Sequence, residues 1–179
     1  MDSRTEQTRG AAAAGEVRFL DASTPPHIIT LICATATAAL STNLFLPSLP
    51  GMAAYFGTEY SVIQLTVSLY LAAQAVLQLG IGPASDRFGR RPVMLFGFGV
   101  FLVATLAALW APNIHVLIAC RLFQAFAVCG MVLARAIVRD TSEPADAASK
   151  LGYVMMCMTV APMVGPMIGG FLDEMFDWR

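Results

Sequence analysis

The spacing of its charges constrains this chain more than any other feature. Between Asp21 and Glu59 lie 37 residues without Asp, Glu, Lys or Arg; 26 more separate Glu59 from Asp86, 29 separate Arg91 from Arg121, and 22 separate Lys150 from Asp173. A helix crosses the hydrocarbon of a bilayer with about 20 predominantly apolar residues. Each gap therefore holds one crossing, and the stretch around Arg121 supplies a fifth despite its charge. Only 13% of the 179 residues are charged and 57% are hydrophobic, whereas about a quarter of a water-soluble domain is charged. The chain reads as an all-α membrane protein with spans near 27–49, 61–83, 92–111, 114–138 and 150–172.

Local signals punctuate these spans. Pro25 and Pro26 precede the first, where a missing N–H is tolerated. Ser61 and Gln64 have the spacing of a capping box for the second. Arg91-Pro92 opens the third and Ala111-Pro112-Asn113 closes it. Residues 1–26, with Arg4, Arg9 and Arg18 beside an alanine run, read as a solvated cytoplasmic tail rather than a cleavable signal. With the N-terminus inside, the cytoplasmic segments hold Arg4, Arg9, Arg18, Arg87, Arg90, Arg91, Arg139 and Lys150, with Arg135 close to that face. The outer loops, near 50–60 and 112–113, hold none, and only Arg179 falls outside. That asymmetry sets the orientation.

Several chemistries find no support. A net charge of -1 gives no basic field for nucleic acid. Cys33, Cys120, Cys129 and Cys157 lie in apolar stretches without metal-ligand spacing, so no metal or other cofactor is expected. His27 and His115 belong to opposite ends, and no glycine loop stands ready to cradle ATP. No catalytic constellation is present, so the chain does not read as an enzyme.

Four motifs remain. The segment Gly82-Pro83-Ala84-Ser85-Asp86-Arg87-Phe88-Gly89-Arg90-Arg91-Pro92 carries an aspartate and glycines that the positive-inside rule alone does not require. It resembles the loop signature G-x-L-(A/S)-D-(R/K)-x-G-R-(R/K) of the major facilitator superfamily, with Ala84 in the leucine place. Arg121-Leu122-Phe123-Gln124-Ala125 is similar to that family's R-x-x-Q-G. The run from Ala161 through Pro162, Gly165, Pro166, Gly169 and Gly170 is similar to its antiporter pattern G-x-x-x-G-P-x-x-G-G, with Ala161 in the first glycine place and Gly152 nine positions earlier. Leu46-Pro47-Ser48-Leu49-Pro50-Gly51 resembles the exit signature of drug/proton antiporters. The resemblance covers about 27–179 and is closest to exporters of the Bcr/CflA type.

The resemblance implies the N-terminal half of a superfamily carrier in the bacterial inner membrane, exporting small amphipathic drugs in exchange for protons by alternating access. Its partners would be the drug, protons, the lipid bilayer and the C-terminal half of the transporter. Transporter halves are built from three-helix repeats, so five spans read as a chain truncated before its sixth helix and inactive alone. A metabolite carrier whose Arg121 binds a carboxylate, or a non-transporting remnant, are the competing readings.

Arg121 is the one charge deep inside a span, about 10 Å below the outer start of span 4 at 1.5 Å per residue. Two readings are open: a side chain snorkelling to the outer headgroups, or one facing a cavity with a partner. Asn43 lies in the same layer of span 1 and offers an acceptor that does not titrate; related exporters usually hold an aspartate there. Gln124 and Arg135 share roughly the Arg121 face of span 4, and Gln74 and Gln64 lie within a quarter-turn on span 2, although Gln64 is better explained as a cap. Tyr70 and Phe123 suit either a pocket or helix packing. Asp86, Arg87, Gly89 and Arg90 suit a cytoplasmic gate, with Asp140, at the inner end of span 4, the partner expected for Arg90. Gly165 and Gly169, with Gly170, allow close helix approach, and Pro162 and Pro166 bend span 5. No Asp or Glu falls inside the expected spans.

Overall fold

A computed structural model describes residues 26–176. The tail 1–25 and the last three residues, Asp177, Trp178 and Arg179, lie outside the described residues, as do the readings that fell on them. Five helical segments are long and apolar enough to cross a membrane: Ile28–Phe56, Tyr60–Phe88, Arg90–Leu109, Ile114–Thr141 and Pro144–Met175. They are spans 1 to 5.

Span 1 is not one helix. Helix α1 (Ile28–Asn43) ends, a 3-10 turn follows at Leu46–Ser48, and α2 (Leu49–Phe56) resumes. Pro47 and Pro50 remove two backbone donors and disfavour helix in the residues before them, which breaks the ladder here. The segment 50–56, expected as outer loop, is therefore helical. Gly57 closes α2 at φ 58°, a left-handed cap that glycine adopts without strain.

Helix α3 (Tyr60–Phe88) and α4 (Arg90–Leu109) are separated by Gly89 alone, at φ 93°. The expected loop 84–91 is thus a one-residue corner, with Pro83 carried inside α3. The capping box is also corrected. Glu59 is the N-cap without a side-chain cap bond, Ser61 Oγ donates to Glu59 at 3.2 Å, and Gln64 is exposed.

Span 4 divides into α5 (Ile114–Gln124), a 3-10 turn at Ala125–Ala127 and α6 (Val128–Thr141). Asn113 caps it, accepting from Val116 N at 3.0 Å. Helix α7 (Pro144–Phe176) runs through Pro162 and Pro166 as one helix. The helices outrun the expected spans. Asp86, Asp140, Asp146, Asp173 and Glu174 accordingly lie on helix ends rather than in loops or outside the helices.

Packing is layered along the length of the spans. One apolar cluster, at the α2 end of the bundle, joins Phe45, Leu49, Met52, Ile63, Ala111 and Leu117. A second, toward the opposite end, gathers Leu31, Ile81, Val128, Leu133, Ile137 and Val154 around α6. Along spans 1, 2 and 4 a polar layer falls between them: Ser41, then Tyr70 and Gln74, then Arg121 and Gln124. The opposite surfaces stay greasy, with Leu79 80% and Met167 75% exposed, as a lipid-facing surface requires.

Candidate functional site

The polar layer converges on a cavity of about 220 Å³ lined by Ser41, Phe45, Thr105, Leu117, Arg121 and Gln124 among others. Arg121 Nη1 donates to Gln124 Oε1 at 3.0 Å, one helical turn along α5. Gln124 Nε2 in turn donates to Thr105 Oγ1 on span 3 at 3.2 Å. The Arg121 guanidinium lies over the Phe45 ring, its carbon 3.5 Å from the centroid. A cation over an aromatic face is stabilised most where water is excluded. Arg121 is therefore held within the bundle by span 1 rather than drawn out to the headgroups.

A second network adjoins it through Ser41. Tyr70, fully buried, shares a hydrogen bond with Ser41 Oγ at 3.0 Å and a longer one with Thr42 Oγ1 at 3.4 Å, and it accepts from Gln74 Nε2 at 2.8 Å. The two networks link all of spans 1 to 4. Phe45 and Tyr70 are the residues sequence reasoning undervalued. Phe45 had no signal of its own, and Tyr70 is indistinguishable on a sequence from an ordinary packed aromatic.

Asn43 is not the partner of Arg121. Its Nδ2 donates to Ala39 O at 2.7 Å, and its Cβ faces Gly165 of α7. At 100° per residue, Phe45 and Asn43 point about 200° apart, so presenting the ring to Arg121 turns the amide toward span 5. Equal depth did not mean equal direction. Gln64 and Gln74 likewise part company, exposed and buried respectively. The 3-10 turn breaks the register between Arg121 and Arg135, and Arg135 Nε donates to Met131 O at 3.0 Å. Phe123 is exposed and lines an apolar groove instead.

At the other end of the bundle, Arg90 binds three groups. It pairs with Asp86 at 2.7 Å and with Asp140 at 3.0 Å, and its Nη1 donates to Ser85 Oγ. The guanidinium thus ties spans 2 and 4 at the start of span 3. Arg87 rests over the Phe88 ring at 5.5 Å. Ser85 was missed, although it stands within the loop signature.

The antiporter motif meets the break in span 1. A Cβ on Gly165 would come 2.8 Å from Asn43 Cβ, and one on Gly169 would collide with the Leu44 carbonyl. At Gly170 a Cβ would sit 3.8 Å from Pro47, an ordinary contact. Pro166, half-buried, lies between the two close approaches. Asp173, one turn beyond Gly169, has a buried Oδ1 without a hydrogen-bond partner among the described residues.

A larger groove of about 660 Å³ between spans 2 and 3 is lined by apolar side chains such as Val76, Leu77, Phe88 and Phe96. No charged side chain among the described residues lines it. Among the described residues, no three His, Cys, Asp or Glu cluster as metal ligands.

The model of a protein family described as Major Facilitator Superfamily matches residues 31–179. The chain is 34% identical over 153 residues to "Multidrug resistance protein D" of Escherichia coli (strain K12), covering 85% of this chain and 39% of that relative. It is 35% identical over 147 residues to the "Chloramphenicol resistance protein" of Pseudomonas aeruginosa, covering 79% and 34% respectively. It is 30% identical over 152 residues to "Multidrug resistance protein MdtM" of Salmonella typhimurium, covering 84% and 37%. The chain thus spans less than two-fifths of the length of these curated relatives.

Proposed function

This chain belongs to the Major Facilitator Superfamily and is a multi-pass membrane protein, and from that premise we propose that the whole protein exports small amphipathic drugs across the bacterial inner membrane. The observation that carries the reading is the Arg121 cavity, a site with placed polar groups lined by spans 1, 3 and 4 in a chain whose relatives bear drug-resistance names. Amphipathic solutes suit it, because carbon walls and a few placed donors fix a ligand without demanding one shape.

The N-terminus is cytoplasmic in this reading, and the Arg90 cluster is a gate on that side. Its exposed ion pairs form when the pathway is closed to the cytoplasm and break when it opens. The glycine face of α7 lets span 5 move against the break in span 1, carrying that motion to Phe45 and the cavity. A C-terminal half completes the pathway. Proton exchange drives the cycle through a carboxylate that the Arg121 cavity itself lacks.

The test is transport into inverted membrane vesicles from cells that express the whole protein and lack their own exporters. Chloramphenicol should accumulate when the vesicle lumen is acidified, so that protons run outward in exchange, and leak out when a protonophore collapses the gradient. Accumulation indifferent to the gradient would remove proton coupling; no accumulation of any amphipathic drug would remove export.

A further inference from the structure

We infer that the Arg121 cavity sorts solutes by charge, admitting neutral and anionic amphipaths with a planar acceptor group and refusing cations. The inference deepens the export reading and rests on it only for the claim that what binds is also carried.

Donor supply comes first. A guanidinium carries five N–H donors and no acceptor. Among the described residues, the one hydrogen-bond acceptor that Arg121 meets is Gln124 Oε1. Phe45 covers a face of the guanidinium plane, leaving the edges, where the other N–H groups lie, to the cavity that Arg121 lines. A planar carboxylate, amide or nitro group fits such an edge, and the bonds are charge-assisted.

Counter-charge comes second. Among the described residues, no Asp or Glu lines the cavity. Asp86 and Asp140 are engaged by Arg90 at the other end of the bundle, and Asp173 lies on span 5 away from the lining. Asn43 is neutral and turned toward Gly165. A cation entering here meets a fixed like charge in a medium where charges are weakly screened, with no carboxylate in the lining to offset it. The apolar remainder of the wall, including Leu44, Met52, Phe101 and Leu117, receives a hydrophobic body. The volume, about 220 Å³, suits a bicyclic aromatic.

The experiment uses three probes on one ring system: 2-naphthoate, 2-naphthamide and 2-naphthylmethylammonium. Equilibrium dialysis measures their binding to the whole protein in phosphatidylcholine nanodiscs. The naphthoate should bind at least about tenfold more tightly than the ammonium, with the amide between them. Arg121→Met should bring the anion-to-cation ratio to within about threefold of unity, and Arg121→Lys, which keeps the charge but not the fork, should still disfavour the cation. The inference is overturned if the cation binds as tightly as the anion, if none of the three binds, or if Arg121→Met leaves the ratio unchanged. The wild-type ratio decides the matter should Arg121→Met fail to fold. Because the readout is binding, charge selection without vesicle transport would contradict export alone, and transport with cation preference would contradict this inference alone.

Discussion

Arg121 is expensive where it stands: a charge at the centre of a membrane helix costs at least about 2.5–3.5 kcal/mol. The bundle offsets that cost with the Phe45 face and the Gln124 amide. Gln124→Ala, which strips the guanidinium of its hydrogen-bond acceptor, should destabilise the protein by about 1–3 kcal/mol. Phe45→Leu should cost about 1–2 kcal/mol from the lost cation–π contact. Thermal unfolding of the purified whole protein checks both, and either variant unfolding like wild type would mean that its contact does not hold Arg121. The Arg121–Gln124 pair was legible because residues three apart on a helix adjoin. The Phe45 contact was not, since it depends on how span 1, broken at Pro47, seats against span 4. A sequence gives depth along a helix far better than direction once the helix is interrupted.

Among elements, the contact of α7 with the break in span 1 makes the sharpest demand on side-chain size. Gly169→Ala places a methyl against the Leu44 carbonyl, a backbone atom with little room to yield. We expect about 1–3 kcal/mol of destabilisation together with slower export, because Leu44 adjoins Phe45. Gly80→Ala is the matched control: a Cβ there meets nothing within 4 Å, and replacing a mid-helix glycine should stabilise the protein by up to about 1 kcal/mol. Equal unfolding midpoints for the two variants would contradict the close packing. The existence of all five spans, and the glycine pattern on the fifth, could be read from charge gaps and spacing alone. The helix ends could not. Pro83 sits inside a helix that runs on to Phe88, and the corner at Gly89 needs one residue where a loop of eight was expected.

For the whole molecule, the layering of two apolar clusters around one polar belt ties stability and transport to different residues. Asp86 is 65% exposed in its pair with Arg90, and such surface pairs contribute at most about 1 kcal/mol. Asp86→Asn should therefore leave insertion and the unfolding midpoint nearly unchanged while cutting export at least about tenfold; normal export would remove the gate. The central claim is that these helices thread the membrane from a cytoplasmic N-terminus, with the polar belt lining half of a solute path. Single cysteines at Asn113 and Glu143, both exposed at opposite ends of span 4, test it most directly in a background where the four native cysteines are replaced. A membrane-impermeant maleimide added to spheroplasts should label Asn113→Cys at once and Glu143→Cys only after permeabilisation; the reverse pattern, or labelling of both from one side, would contradict the account.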